Sequence, residues 1–268
     1  MSVSIDKNED LLLAINGAEE TLQIVLARRS EDEESYSLLE AKRLVVPGRS
    51  VNFLIPSIRD SLKLFGYNAG EISRIAITAG PGSFTGLRLT FAAAAGLSAG
   101  SGCPVCAMEY LPILAKGAAI VSGLPVWAVT HSRRMQVYLQ GFEPISENGK
   151  LTSFTPPLPV TIQEAAEVIL SYRQEKAALS GSGLLKNKAF FDEFMAQHPQ
   201  YTAMPERFNI PADKDMLDAA QQAEYSDEMP MPMYLRGSDA EENLEAITRK
   251  RGISLEAARE QLKDITPR

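Results

Sequence analysis

Cysteine and histidine are nearly absent from this sequence, with two of each in 268 residues. Two thiols make no disulfide framework, and His131 and His198 are too few and too scattered to complete the roughly four ligands of a zinc site. Long basic runs are missing as well. No five lysines or arginines follow one another and the formal charge is −7, so the chain is not built to hold nucleic acid mainly by its own surface, and a role near RNA needs a basic partner. No apolar run approaches the ~18 residues of a membrane span, and no charged-then-apolar leader is seen. A soluble, cytoplasmic protein without membrane contact is expected.

What the sequence does contain is an alternation of strands and helices. Leu11 to Ile15 and Thr21 to Ala27 flank Asn16-Gly17 and predict two strands joined by a loose turn, with a third strand from the Tyr36 to Val46 region. Val51, Leu54, Ile55, Ile58, Leu62 and Phe65 recur at helical spacing, with Pro56 expected to bend or interrupt the early turns. Ile72 to Thr78 reads as a buried strand that delivers the chain into a glycine-rich loop. Further strands are expected at 105–108, 126–130, 136–142 and 176–180, and further helices at 112–121, at 162–172 behind a Thr161 cap, and from Gly183 to Met195. Residues 143–159 read as a loop or insertion. Met229-Pro-Met-Pro-Met-Tyr-Leu-Arg236 is either a flexible interaction surface or a strand end packing back on the first lobe. Ser238 with Glu241 opens a closing helical hairpin. The pattern is α/β, and the length suits two subdomains packed together.

The loop Gly80-Pro-Gly82-Ser83-Phe-Thr-Gly86 resembles a phosphate cradle only superficially. Its glycines are spaced one residue too far for the dinucleotide fingerprint, and it ends Gly86-Leu87-Arg88 instead of the Gly-Lys-Ser/Thr of a Walker loop. Amides at a helix start still offer a weak phosphate site at Gly80, Gly82, Ser83 and Gly86. The plainer alternative is a turn that lets a strand enter a closely packed helix. That helix is apolar or small around nearly its whole circumference, through Leu87, Leu89, Phe91, Ala92, Ala93, Gly96 and Ser98. It therefore needs cover on both sides, and a side without cover marks a protein interface.

The run Ala79-Gly-Pro-Gly-Ser-Phe-Thr-Gly-Leu-Arg88 closely resembles the signature of the TsaB (YeaZ) family. Met233-Tyr-Leu-Arg236 and Ser132-Arg133 with Val137-Tyr138 agree with it more weakly. The resemblance implies a two-lobed actin-like (ASKHA, ribonuclease-H-like) fold with a short C-terminal helical extension, divided as 1–108, 109–224 and 225–268. It also implies a non-catalytic subunit that binds and activates a TsaD-like transferase in making threonylcarbamoyladenosine on tRNA, with a TsaE-like ATPase as further partner and tRNA met only indirectly. Alone, such a protein is expected to form a homodimer through the same face. The interface expected from this resemblance comprises Leu54, Ile58 and Leu62 on the first helix and Phe84, Leu87, Arg88 and Phe91 on the second. Phe91→Asp or Leu87→Asp is then expected to abolish partner binding in a folded monomer. No cofactor or metal is expected, with an adenine nucleotide at a subunit boundary left open.

The sequence departs from the family where actin-like enzymes carry an acidic residue after the first strand. Asn16-Gly17-Ala18 stands there, and a neutral amide lacks the charge a hard cation prefers. The competing reading, an ATP-dependent phosphotransferase or carbamoyltransferase using Gly80 to Gly86 and Gly181 to Gly183 as phosphate loops, is poorly served by Asn16 and Thr130. Cys103-Pro-Val-Cys106 has redox spacing but enters a strand, so buried small side chains are expected. His131 reads as a strand-end polar residue without a nucleophile elbow nearby, and Asp213, Asp215 and Asp218 as solvated helix faces.

Overall fold

The computed structural model describes residues 9–30 and 33–235. Arg236 and the helices expected after Ser238 lie outside the described residues. The chain opens with β1 (Asp10–Asn16), β2 (Thr21–Arg29) and β3 (Ser37–Val45), an antiparallel meander. After α1 (Ser50–Leu64), β4 (Arg74–Gly80) pairs parallel to β1. Following α2 (Phe84–Ser101), β5 (Val105–Glu109) pairs parallel to β4. The resulting sheet has the order β3-β2-β1-β4-β5.

Both faces of this sheet are covered, and that explains why β1 and β2 read as almost unbroken apolar runs. Successive side chains point to opposite faces. Leu11, Leu13, Ile15, Ile24, Leu26, Ile75 and Ile77 meet α1 and α2 on one side. Leu12, Ala14, Val25, Ala27, Ala76 and Cys106 face the other. Helix α1 runs through Pro56 as one element. Pro56 is exposed, so the Asn52 carbonyl that loses its helical donor is left to water.

The chain then crosses to a second sheet through α3 (Tyr110–Ser122). Next come β6 (Val126–Arg133), β7 (Gln136–Phe142) and β8 (Leu158–Thr161), followed by α4 (Ile162–Ser171). Thr161 caps α4 as expected, in a reciprocal box with Glu164. After β9 (Ala177–Ser180), α5 (Ser182–Lys186) and α6 (Lys188–Gln197), β10 (Tyr201–Ala203) completes the order β10-β9-β6-β7-β8.

From the second sheet the chain returns to the first. Helix α7 (Asp213–Gln222) packs on the first sheet through Met216, Leu217 and Ala220. Asp215 is consequently buried instead of lying on a solvated face. Burial raises its pKa against the lowering effect of Lys116, whose ammonium stands 4.0 Å away. Ser226 bridges to Val105, and the Met233 amide donates to the Ala79 carbonyl at 2.8 Å. The proline-rich segment thus packs back on the first lobe as far as Met233, where the compact unit holding both sheets ends. Among the described residues no helix is long and apolar enough to cross a membrane.

Candidate functional site

The glycine loop is packed against the turn between β1 and β2. A Cβ on Gly86 would lie 2.1 Å from the Gly17 carbonyl oxygen, and one on Gly82 would lie 2.3 Å from that of Ala18. Glycine is required there because backbone meets backbone. Three amides of the loop and helix start are engaged within the protein: Ser83 N–H donates to the Ala18 carbonyl at 2.6 Å, Gly86 N–H to Ser83 Oγ at 3.2 Å, and Leu87 N–H to the Ser83 carbonyl at 2.8 Å. Gly80, Gly82, Ser83 and Gly86 form a packing turn in which Ser83 caps α2.

The second glycine pair is used in the same way. Gly181 N–H donates to Asn209 Oδ1 at 2.8 Å, and a Cβ on Gly181 would lie 2.3 Å from the Val129 carbonyl oxygen. Asn16 is buried, accepts from Thr78 Oγ1 and from the Ala18 amide at 3.0 Å each, and donates to Gln23 at 2.8 Å. Its amide works as donor and acceptor at once, which an ionised carboxylate does not do. Among the described residues no three His, Cys, Asp or Glu side chains group as a metal would need.

The polar cluster nearest these loops centres on Glu19, which the sequence alone did not single out. Its carboxyl accepts from Tyr110 Oη at 2.9 Å and forms a short hydrogen bond with Ser182 Oγ. Ser182 Oγ also accepts from the His131 amide at 2.9 Å. Burial pushes the Glu19 carboxyl up to about 7, outweighing the hydrogen bonds from Ser182, Tyr110 and the His131 backbone that favour its charge. Beside it, Lys186 pairs with Glu20 at 2.9 Å. Burial, helped by Lys186, holds the His131 imidazole below its usual range. A glutamate in a turn ordinarily reads as solvated, and no periodicity marks one that a distant loop covers.

The helix pair separates the expected interface residues into two groups. Leu54, Ile58, Leu62 and Phe91 are buried in the core of the first sheet, and Leu87 is fully buried against Gly80, so they do not present their side chains to another chain. This corrects their expected role: apolar spacing located the inward stripe of each helix. Phe84 and Arg88 lie nearer the surface, with the Arg88 guanidinium stacked 3.9 Å from the Phe84 ring centre. The outward face exposes Val51 (65%), Ile55 (50%) and Leu64 (69%) of α1. On α2 the exposed positions are Thr85, Arg88, Ala92, Gly96, Ala99 and Gly100. Asn52, Arg59, Asp60 and Lys63 of α1 are exposed as well, so apolar, small and charged side chains share the outward surface of the two adjacent helices.

Cys103 and Cys106 are free and buried. Burial raises both thiols, that of Cys106 to about 11, and this keeps them protonated and unreactive near neutral pH.

Comparison with known proteins adds a family. The model of the family described as TsaD, tRNA N6-adenosine threonylcarbamoyltransferase, matches residues 47–206, more than half of the chain. A curated relative, the tRNA threonylcarbamoyladenosine biosynthesis protein TsaB of Escherichia coli (strain K12), is 29% identical over 139 residues, covering 52% of this chain. The match spans 57% of that relative's length. Among solved structures, a Pseudomonas aeruginosa protein described as similar to peptidase YEAZ superposes with a TM-score of 0.64 at 24% identity, covering 85% of this chain and 100% of that one. YeaZ from Pseudomonas aeruginosa gives 0.62 at 24% identity, over 84% and 100%. The expected two-lobed α/β fold is found, and it is the fold of the YeaZ structures.

Proposed function

The chain belongs to the family of TsaD, tRNA N6-adenosine threonylcarbamoyltransferase, and from that premise we propose that it is a TsaB-like, non-catalytic subunit in threonylcarbamoyladenosine biosynthesis on tRNA. It binds and activates a TsaD-like transferase, with a TsaE-like ATPase as a further member of the assembly. The observation that carries this reading is the outward surface of α1 and α2, where Val51, Ile55 and Leu64 stand exposed beside Ala92, Gly96 and Ala99. Exposed apolar side chains on a helix pair are surface that a partner covers, and small side chains on α2 let a partner helix approach closely. In the absence of the transferase the same surface serves a homodimer.

The non-catalytic part of the proposal draws support from the two glycine turns. The amides of Ser83, Gly86, Leu87 and Gly181 already donate to Ala18, Ser83 and Asn209, while Asn16 carries no charge for a cation. Calorimetry with ATP and magnesium is therefore expected to give no saturable heat, and stoichiometric binding with turnover would refute this part. Co-expression with the TsaD-like transferase of the same cell is expected to yield a complex that co-purifies. Failure of the wild-type pair to associate would remove the functional reading.

A further inference from the structure

The start of α7 helps to wall a cavity of about 250 Å³. Arg43 of β3, Leu114 and Gly117 of α3, and the single-turn helix Glu206–Phe208 with Ile210 after it supply the other sides. Burial grades through it: Leu114 is 2% exposed and Asp215 7%, while Arg43, Arg207 and Ala212 reach solvent. Two guanidinium groups thus stand at the mouth and one carboxyl at the base.

The carboxyl is the anomaly. Among the described residues no hydrogen bond reaches the Asp215 side chain, and Lys116 Nζ approaches it only to 4.0 Å. Buried acids are ordinarily hydrogen-bonded. An acid in the first turn of a helix commonly accepts from the amide of the cap residue, yet α7 has no side-chain cap bond. Water alone does not replace such partners well, because Leu114, Ile210, Ala212 and the Phe208 ring give it little to bond to.

The mouth is not fully spent either. Arg207 makes no ion pair among the described residues and lies 4.9 Å from the Phe208 ring centre. Arg43 engages Asp213 through Nε and the Pro211 carbonyl through Nη2, which leaves Nη1. Gly117 keeps the space between mouth and base open: a Cβ there would lie 3.1 Å from Asp215 Oδ2 and 3.7 Å from the Phe208 ring. Glycine inside a helix is otherwise unfavourable.

We propose that this cavity binds a small zwitterion, with a primary ammonium on Asp215 at the base, a flat apolar body between Leu114, Ile210 and Phe208, and a carboxylate or phosphate held by Arg43 and Arg207 at the mouth. The proposal does not depend on the partner-binding reading. A plain cation is repelled by the mouth and a plain anion by the base, so a molecule carrying both charges is selected. Charge-assisted hydrogen bonds at each end supply the orientation. The volume falls below the ~300–1,000 Å³ of drug-sized sites, so the ligand is a single ring or a short chain.

The probe is 4-(aminomethyl)benzoate, which carries ammonium and carboxylate at opposite ends of one ring. Titrated into the full-length, ¹⁵N-labelled protein, it is expected to give saturable shifts at the amides of Gly117, Phe208 and Ala212, with a Kd of about 1 mM or tighter. Benzylamine, without the carboxylate, and 4-methylbenzoate, without the ammonium, are each expected to bind about tenfold more weakly. Asp215→Asn is expected to erase the preference over 4-methylbenzoate, and Arg207→Gln to narrow the preference over benzylamine. Gly117→Ala is expected to weaken all three compounds by filling the space. Arg207 is exposed, so its variant carries the test if Asp215→Asn folds poorly. No saturable shift at those amides, equal binding of the three compounds, or preferences that survive the folded variants would overturn the site and leave a cavity that holds water only.

Discussion

Individual atoms decide the character of the glycine loop. A methyl group at position 86 has nowhere to go, because the Gly17 carbonyl oxygen stands 2.1 Å from where its carbon would be. Gly86→Ala is expected to cost more than about 3 kcal/mol, the upper end of ordinary overpacking, since the obstacle is backbone and not a movable side chain. Gly96→Ala meets nothing within 4 Å on the exposed side of α2 and is expected to stabilise by about 0.5–1 kcal/mol through reduced chain entropy. Urea unfolding of the two variants checks both signs, and a stable Gly86→Ala would show that the close approach is not fixed. Glu19 supplies a second residue-level test. Since its folded pKa lies above its ordinary value, it stabilises the native state below about 4.5 and loses that contribution as pH rises through about 7. The Tm of Glu19→Gln minus that of wild type is therefore expected to grow across this window and to level off above it. A difference that is flat with pH would contradict the shift.

Each of the paired helices is a two-sided object, and its sides answer to different forces. Inward residues of α1 and α2 fill the core above the first sheet, so Ile58→Ala is expected to cost about 2–5 kcal/mol as a cavity mutation. Leu87→Asp places an uncompensated charge in that core and is expected to unfold the protein, so loss of binding in such a variant says nothing about an interface. Outward residues behave otherwise. Ile55→Asp and Ala92→Asp are expected to change stability by no more than about 0.5 kcal/mol while abolishing capture of the transferase. Parallel thermal melts and pull-downs separate the two classes. Retained capture by both outward variants would move the interface elsewhere on the molecule.

Across the whole molecule, two five-stranded sheets are joined by α3 and by the return of α7 to the first sheet. Much of this was legible beforehand. The apolar run Leu11 to Ile15, the strand pattern of Thr21 to Ala27, the helical spacing from Leu54 to Leu62, and the Thr161 cap are local patterns whose physics operates within a few residues. The sequence by itself determined the α/β alternation, the position of the glycine turn, and the two apolar helices that follow from it. Which side of those helices meets water was not legible, because α2 is apolar or small all round and only the sheet beneath it chooses the inward stripe. Nor were the burial of Asp215 and the partial burial of Glu19 visible, since each is covered by an element distant in sequence, Lys116 and Gly117 of α3 for the first and Ser182 for the second. Tertiary structure alone decided which glycine amides were taken and which carboxyls lost their water, because desolvation depends on what arrives from far along the chain.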